Sequence, residues 1–495
     1  MRVAALCVAA SWLVSHSAEA QSKAAALTGA ERLDFVTGPV IGSGRVVGLG
    51  GAYTALAVGS DGAAWNPASY ATRNLWDLNW FEWDVAFDYS PGAFRNTDFD
   101  NNGQTRVASN NDFVTLGGRV GFGAFGLGAL LRMQYYSLGQ GAQLQLAVAN
   151  YGVGYALLDG QLVIGLGART AAMTISDLTR GGPAMTISDL TRGAALIDFS
   201  GTGPEIGATL GLAGRPYRIG VSARLAVHAE RGSSSLVAAG LILPHQLALP
   251  AEVQFGLAYQ LGKRPLNRRF VDPRQFDKRF REAMLARRAQ RQHEQLAREA
   301  EAERMRESFV TAPPRLGQSP RQPAAELADE ASAAPRDPEW WVEESRTRKL
   351  EEHELAQAMQ AAADERKAQV KALSHHYVLL SSEAIVTGTT HDGIGLESLL
   401  TQQRQVSGRE LSLGLRFGAE AEPIARRVRL RLGSYFEPSR FSGVGYRPHA
   451  TVATDLRLFA WNLFGLVDEF DLRIGAYADI AARYNSIGVG MGMWH

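Results

Sequence analysis

Hydrophobic and polar residues alternate strictly in several segments near the C-terminal end of the chain. From Arg427 to Phe436 the chain reads Arg-Val-Arg-Leu-Arg-Leu-Gly-Ser-Tyr-Phe, and segments 454–458 and 470–480 follow the same pattern. Successive side chains of a strand point to opposite faces of the sheet, so each segment predicts a strand with one apolar and one polar face. In a soluble sandwich the apolar face packs in the core, whereas in an outer-membrane barrel it faces lipid and the charged face lines the lumen.

Alternating segments of this kind recur along most of the chain and number about fourteen. An even number of strands of roughly ten residues is typical of a single-chain outer-membrane barrel. We therefore predict an all-β fold, a transmembrane antiparallel β-barrel of about fourteen strands. The predicted strands are 78–90, 111–121, 123–137, 141–157, 161–176, 204–214, 217–230, 251–262, 376–388, 407–419, 426–437, 451–463, 468–481 and 485–495.

The connections between the predicted strands alternate in length, except that the outward connections after Ser137 and Ala481 are also brief. If the last strand ends in the periplasm, connections such as 158–162 and 417–424 are periplasmic and short, whereas 91–110 and 389–406 are extracellular and longer. Transmembrane barrels have short periplasmic turns and long extracellular loops. The sorting of lengths therefore favours the membrane barrel over a soluble sandwich.

The first 20 residues have the organisation of a secretory signal peptide. A basic Met1-Arg2 precedes a mostly apolar run over 3–14, and Ala18-Glu19-Ala20 fits a cleavage site. The only cysteine, Cys7, lies in this segment, so we expect a mature chain without disulfides or cysteine-bound metal. The 51 Lys and Arg balance 50 Asp and Glu, which gives no electrostatic reason to expect nucleic acid as a partner.

Residues 263–376, between the eighth and ninth predicted strands, are rich in charge, Ala and Pro and lack strand patterns. Two helices that are polar on nearly all sides are predicted at 263–308 and 340–373, with a Pro-rich linker over 311–338. The order of the strands places this insertion in the periplasm. It is either a solvated, partly disordered hairpin or a docking arm for a periplasmic protein.

Candidate catalytic and metal-ligating groups do not form a recognisable site. His375 and His376 are adjacent in a predicted strand and point to opposite faces, which disfavours a shared metal. His228 and Ser222 share a face but lie about 20 Å apart at ~3.3 Å per residue. We therefore predict no enzymatic activity, no cofactor and no metal site.

Charged residues of the C-terminal strands are expected to face one interior. Buried charges must be paired or hydrated. They form either a cross-strand ladder that braces a filled barrel or the wall of a polar conduit, and the presence of both signs favours the ladder. The predicted lumen-lining residues are Arg427, Arg429, Arg431, Asp455, Arg457, Asp471, Arg473 and Asp479.

The N-terminal region carries a family resemblance. The segment 45–58, Arg-Val-Val-Gly-Leu-Gly-Gly-Ala-Tyr-Thr-Ala-Leu-Ala-Val, is followed by Asp-Gly-Ala-Ala-Trp-Asn-Pro-Ala over 61–68. It resembles the start of FadL/TodX-type outer-membrane transport proteins and is equally similar to the related PorV-like barrels. The resemblance implies a hatch inside the barrel lumen, formed by residues 21–77. Ser69 stands where the family usually has glycine, and the implied hatch motif is Gly50, Gly51, Asn66, Pro67 and Ala68.

The predicted organisation is a signal peptide at 1–20, the hatch at 21–77, barrel strands at 78–262, the insertion at 263–376 and further strands at 377–495. The resemblance implies passive transport of a hydrophobic small molecule or lipid, of fatty-acid or hydrocarbon type, within the lipid of a Gram-negative outer membrane. The alternative is a PorV-like scaffold for protein secretion, surface attachment or an envelope-spanning machine, which docks a periplasmic protein through its insertion.

Overall fold

A computed structural model describes most of the chain beyond the signal segment. The predicted signal peptide and most of the predicted helix-to-helix linker lie outside the described residues. The described residues are 25–36, 38–75, 78–91, 98–104, 111–139, 142–177, 195–231, 242–270, 272–310, 338–463 and 467–494.

The strands form a closed antiparallel barrel of fourteen strands, which confirms the predicted fold class. Two barrel strands are interrupted, so that β8 with β9 and β10 with β11 each count once, and β1, β13 and β14 are short additional strands. The strands are β1 (Arg32–Asp34), β2 (Phe81–Ser90), β3 (Asn111–Phe122), β4 (Phe125–Gly139), β5 (Ala142–Leu157), β6 (Leu162–Asp177), β7 (Ala195–Leu210), β8 (Tyr217–Arg224), β9 (Val227–Arg231), β10 (Gln246–Leu249), β11 (Glu252–Gly262), β12 (Tyr377–Thr387), β13 (Gly393–Ile394), β14 (Val406–Ser407), β15 (Ser412–Ile424), β16 (Val428–Glu437), β17 (Arg447–Leu463), β18 (Val467–Ala481) and β19 (Tyr484–Met493).

The barrel closes where its first and last strands pair. β19 runs antiparallel to β2, with Val489 opposite Tyr89 and Gly492 opposite Ala86. Each remaining barrel strand pairs with its neighbours, so the wall has no open edge of the kind that templates aggregation.

The outer face of the wall is apolar around its circumference. Side chains such as Leu166 and Phe255 are 56% and 55% exposed, while their neighbours along each strand point inward. Contiguous apolar surface of this extent is rare on soluble monomers and typical of a wall that faces lipid. Further members of this belt are Val85, Leu116, Leu127, Ile206, Val221, Leu257, Leu380, Leu415, Leu432, Val452, Ile474 and Val489.

Within the described ranges, four α-helices accompany the strands: α1 (Gly44–Gly48), α2 (Pro273–Val310), α3 (Pro338–Lys371) and α4 (Leu396–Thr401). In the part of the chain that the structure describes, no helix has the length and apolar character needed to cross a membrane.

The N-terminal region lies inside the barrel. Residues 44–72, hereafter the plug, comprise α1 and two 3-10 turns at Ser60–Gly62 and Pro67–Tyr70. The plug is buried over nearly its whole length. Preceding it, β1 pairs in parallel with β10 and β13, forming a small inner sheet that the alternation pattern did not predict.

A second compact unit, Val271–Ala372, contains α2 and α3. α2 begins at Pro273, where the Oδ1 atom of Asp272 accepts a hydrogen bond from the amide of Arg274. Proline suits the first position of a helix because its missing N–H has no partner there in any case. A side-chain ion pair joins the two helices, from Arg291 to Glu351.

Candidate functional site

A series of ion pairs links the plug to the wall. It begins at Arg45 of α1, whose Nε lies 3.3 Å from Oε2 of Glu420 on β15. The same oxygen accepts a hydrogen bond of 2.7 Å from Nε of Arg431 on β16. Nη1 of Arg431 in turn lies 2.8 Å from Oδ2 of Asp455 on β17. Glu420, Arg431 and Asp455 are buried and Arg45 is half-buried, and each faces a charge of opposite sign, as the lumen requires.

The series continues through β18 and returns to the plug. Nη1 of Arg473 lies 3.4 Å from Oδ1 of Asp455, and its Nη2 lies 3.0 Å from Oδ2 of Asp61. Both ends of the series therefore belong to the plug, and its middle belongs to four neighbouring strands. The charges alternate in sign along it, which is the arrangement of a bracing ladder.

The remaining predicted lumen charges occupy four different environments, of which the first three are near the turn between β15 and β16 or toward the ends of β17 and β18. Arg427 is exposed in the turn between β15 and β16, outside the lumen wall. Arg429 is buried and lies over the ring of Trp494, with Nε 3.4 Å from Glu422. Arg457 and Asp471 form a 2.5 Å ion pair that is partly open to solvent.

Asp479 belongs to a buried network near the opposite end of β18. Its carboxylate accepts a 2.5 Å hydrogen bond from Tyr435 and contacts Nδ1 of His449 at 2.8 Å. Nε2 of the same imidazole lies 2.8 Å from Glu437. The Tyr435 hydroxyl also accepts a hydrogen bond from the amide of Val40, which ties the chain just before the plug to the wall.

Wall carboxylates also hold the backbone of the plug. Asp84 accepts hydrogen bonds from the amide and the hydroxyl of Ser60, at 2.6 and 2.8 Å. Asp88 accepts one from the amide of Gly44, at 3.0 Å. Glu383, on the far side of the barrel, accepts from the amides of residues 53 and 54. These contacts satisfy plug amides at the starts of helical turns and between them, which have no partner within their own element.

Wall glycines lie wherever the plug backbone touches a strand. A Cβ atom on Gly207 would overlap Oδ1 of Asn66, and one on Gly165 would overlap the backbone of Pro67. Glycine permits such close approach because it has no side chain. The glycines therefore form a ring that is complementary to the plug. Further members are Gly126, Gly154, Gly220, Gly256, Gly418 and Gly433.

The five residues of the implied hatch motif all lie in the plug. Asn66 caps the 3-10 turn by accepting a 3.0 Å hydrogen bond from the amide of Ala68, and Pro67 occupies the first position of that turn. The Asn66 amide donates to the carbonyls of Thr54 and Ala208. It thus joins two parts of the plug to β7.

The two motif glycines make the turn after α1. Gly50 and Gly51 have φ of +60° and +75°, a region that favours glycine. A Cβ on Gly50 would meet the backbone of β15 and β16 within 3.0 Å. Conformation and close approach both require glycine at this position.

A cavity of about 100 Å³ lies between the plug, the wall and the described residues 35–36 and 38–41, hereafter the roof segment. Ala64 and Trp65 of the plug line one side of it. The opposite side is formed by roof residues that include Phe35 and Ile41. The cavity is smaller than an engineered cavity of ~150 Å³ that binds benzene, so it has room for a head group but not for a long chain.

Four arginines line this cavity, and three of them have carboxylate partners. Arg169 lies 3.2 Å from Glu252, and Arg416 lies 2.8 Å from Glu383. Arg224 pairs with both Glu205 and Glu252, at 3.3 and 3.5 Å. The wall therefore neutralises three of the cavity's positive charges.

The fourth arginine, Arg132, differs from the others. Among the residues that the structure describes, no carboxylate lies within ion-pair distance of it. Its Nη2 lies 3.5 Å from Oδ1 of Asn150, and its guanidinium lies 5.7 Å from the ring of Trp65. An anion in the cavity would supply the missing counter-charge.

The sequence interpretation missed this cavity. Arg132, Arg169, Arg224 and Arg416 all occupy polar positions of alternating segments in predicted strands. The same alternation that singled out the C-terminal charges could therefore have identified all four. What it could not show is that they converge across the barrel.

Apolar side chains pack on the other side of the roof segment. Leu33 and Phe35 join inward-facing residues of β5 and β6, such as Leu144 and Met173, and Leu396 of α4. Along β5 the inward side chains change from leucine to Asn150 and then to glycine beneath the plug. The lumen is thus apolar above the cavity and polar within it.

Three carboxylates meet where a connecting segment packs on α4. Oxygen atoms of Asp98, Asp100 and Glu397 lie within 4.8 Å of one another. Burial raises the pKa of Asp100 well above its usual value, and the neighbouring Glu397 carboxylate raises it further. The Oδ2 atom of Asp100 accepts a hydrogen bond from the Glu397 amide.

No protein-family model and no curated protein matches this chain. Among solved structures, the chain is similar to a Pseudomonas aeruginosa FadL homologue, with 10% identity, 90% of this chain and 96% of that chain covered, and a TM-score of 0.39. It is similar to the Ralstonia pickettii toluene transporter TbuX, with 9% identity, coverage of 93% and 98%, and a TM-score of 0.42. It is also similar to the P. putida toluene transporter TodX, with 10% identity, coverage of 92% and 98%, and a TM-score of 0.41.

Proposed function

We propose that this barrel lies in the outer membrane of a Gram-negative cell and carries hydrophobic molecules with an acidic head group across it by passive transport. Long-chain fatty acids are the type of molecule that we expect. The observation that carries the proposal is the arginine-lined cavity between the plug and the wall, where Arg132 has no carboxylate within ion-pair distance among the described residues.

The arrangement of the lumen supports an amphiphile rather than a plain hydrocarbon. The apolar cluster around Phe35 and Leu144 suits an acyl chain, and the arginines behind it suit a carboxylate. An arginine binds a carboxylate through two parallel hydrogen bonds. A hydrocarbon would leave Arg132 without a directly bonded anion, since Glu252 lines the same cavity but lies beyond ion-pair distance of it among the described residues.

Entry and release each require a movement. The cavity is too small for an acyl chain, so the roof segment must shift when ligand enters. Release toward the side with short turns requires the plug to move, because it fills the lumen there. The ion pairs and glycine contacts of the plug set the free energy of that second movement.

Uptake of labelled fatty acid by cells that lack or carry the gene tests the proposal. Uptake that is unchanged by deletion would overturn it. In cells that carry Arg132→Gln, we expect uptake of the acid to fall about tenfold or more, since a charge-assisted hydrogen bond contributes about 1.5–3 kcal/mol. Uptake of the matching uncharged alcohol should change much less.

Arg457→Gln is the matched control for this experiment. It removes the same charge from a partly exposed ion pair at the rim and leaves the cavity intact. We expect this variant to take up acid and alcohol as the unaltered protein does. If both variants lower the uptake of both compounds equally, the cavity does not select the acid.

A further inference from the structure

Charge is sorted along the insertion between β11 and β12. Residues 263–291, hereafter the basic segment, contain eleven Lys and Arg against three Asp and Glu. Residues 292–376, the rest of the insertion, contain twelve Lys and Arg against seventeen Asp and Glu. The excess of positive charge therefore lies in the part of the insertion that directly follows a barrel strand.

The basic segment starts at the membrane edge of the wall. β11 ends at Gly262, and Lys263 and Arg269 are exposed immediately after it. Asn267 anchors this stretch to the barrel, because its amide donates to the carbonyls of Arg215 and Tyr217. The first charges of the segment thus stand at the rim from which the chain leaves the barrel.

The first turns of α2 present a basic and partly apolar face to solvent. Arg274, Lys278, Arg281 and Leu285 are spaced as i, i+4, i+7 and i+11, so they lie on one side of the helix. All four are exposed, and Leu285 is 63% exposed. Positive charge gathered on one side of a helix beside a membrane span is attracted electrostatically to anionic lipid.

We propose that the basic segment binds the anionic phospholipid head groups of the bilayer leaflet next to which it leaves the barrel. Clusters of four or more basic residues beside a membrane span are attracted to anionic lipid over about one Debye length. The acidic remainder of the insertion is repelled by the same surface. The sorting of charge would therefore direct one part of the insertion to the bilayer and the other away from it.

The full-length protein in lipid nanodiscs tests this proposal. Because Cys7 is the only cysteine, a Leu285→Cys protein prepared without the signal segment carries one site for a fluorescent probe. Nanodiscs are made of phosphatidylcholine with or without phosphatidylglycerol. We expect the anionic lipid to lower quenching of the probe by aqueous acrylamide about threefold and to shift its emission to the blue.

A second probe position gives an internal reference. Val342, on α3, is 53% exposed and belongs to the acidic part of the insertion. A probe on Val342→Cys should be quenched equally in both kinds of nanodisc. The protection of the residue-285 probe from acrylamide, hereafter shielding, should disappear at about 1 M salt, where the Debye length falls to about 3 Å.

Two triple variants complete the test. Arg274→Glu/Lys278→Glu/Arg281→Glu should abolish the shielding at residue 285. Arg346→Glu/Arg348→Glu/Lys349→Glu makes the same change of charge at exposed positions of α3 and should preserve it. Heat-modified migration on gels verifies that each barrel has folded.

Three outcomes would overturn the proposal. One is equal quenching at residue 285 with and without phosphatidylglycerol, and another is shielding that survives the first triple variant. The third is shielding that appears only when soluble periplasmic extract is added, since that result identifies a protein as the partner.

Discussion

The Oδ2 atom of Asp61 lies 3.0 Å from Nη2 of Arg473, and this contact closes the series of ion pairs that begins at Arg45. Arg45 and Asp61 both belong to the plug, whereas Arg473 belongs to the wall. The plug is therefore held at two points by one connected set of charges. Removing one member of the set costs free energy, because the charge that remains is neither paired nor fully hydrated.

We predict that Asp61→Asn weakens the attachment of the plug. Arg473 keeps its ion pair with Asp455 on the wall but loses its ion pair with residue 61 of the plug. Removal of one partner from a buried ion pair typically costs 3–5 kcal/mol. Planar-bilayer recordings should show more frequent or larger openings, and trypsin should cut the plug at Arg45 faster than in the unaltered protein.

Arg457→Gln is the control for this prediction. Its partner Asp471 is partly exposed, as is Arg457 itself, so the pair contributes at most about 1 kcal/mol. Recordings of this variant should match those of the unaltered protein. Equal conductance in the Asp61 and Arg457 variants would contradict a bracing role for the buried series.

The ring of glycines gives a second prediction, on packing. Gly207→Ala places a methyl group where Oδ1 of Asn66 lies, so the plug or β7 must move. Overpacking of this kind typically costs 1–3 kcal/mol. We expect a lower temperature for heat-modified gel migration, together with leak of small hydrophilic solutes into cells.

Gly118→Ala is the matched control for Gly207→Ala. Gly118 lies in β3 and has no atom within 4 Å of an added Cβ. The substitution should leave both measurements unchanged or slightly raise stability, since alanine is less flexible in the unfolded chain. If Gly207→Ala is equally harmless, the close contact between plug and wall does not hold the plug in place.

The alternation of apolar and polar residues predicted the barrel well, because each strand of the wall has one face toward lipid and one toward the lumen. The strand number follows from it, and Arg431 and Asp455 lie on the face that alternation assigned to them. Arg427 shows where the pattern stops being informative. It continues the alternation by one residue, but the chain has already turned at residues 425–427 and exposes the side chain.

Contacts between distant segments could not be predicted in the same way. Gly203-Pro204 looks like the start of a strand after a loop, yet β7 begins at Ala195 and passes through both residues. The carbonyl of Pro204 accepts a hydrogen bond from Leu225, so pairing continues although proline has no N–H to donate. The convergence of Arg132 and Arg224 on one cavity depends on barrel closure, which no local pattern encodes.

The carboxylate cluster at α4 predicts a pH-dependent packing of residues 98–104. Burial and the nearby Glu397 raise the pKa of Asp100 well above its usual value of about 4. Its contribution to stability is therefore complete below about pH 4 and is lost as the pH rises toward the raised pKa. Asp100→Asn removes this loss while its side-chain oxygen can still accept from the Glu397 amide.

We expect Asp100→Asn to raise the unfolding temperature at about pH 8 and to have little effect at about pH 4. Each unit by which the pKa is raised corresponds to about 1.4 kcal/mol. The measurement is heat-modified migration after incubation at each pH. A stabilisation that is equal at both values would mean that the charge of Asp100 is not its cause.

The Asn66 side chain has two structural roles: it caps the 3-10 turn, and it joins the plug to β7. Two variants distinguish these roles. Asn66→Ala removes the cap on Ala68 and both donated hydrogen bonds, which should cost about 2 kcal/mol or more. Asn66→Asp keeps the capping oxygen but directs a buried carboxylate at the carbonyls of Thr54 and Ala208. We expect this second variant to be the less stable of the two, because the charge lacks a donor there.

Ser69→Ala is the control within the same turn, since the buried Ser69 hydroxyl makes no hydrogen bond among the described residues. It should leave stability unchanged or slightly raised. Heat-modified migration and trypsin cleavage of the plug report on all three variants. If Asn66→Asp proves as stable as the unaltered protein, the cap alone explains the asparagine, and the hydrogen bond to β7 does not fasten the plug to the wall.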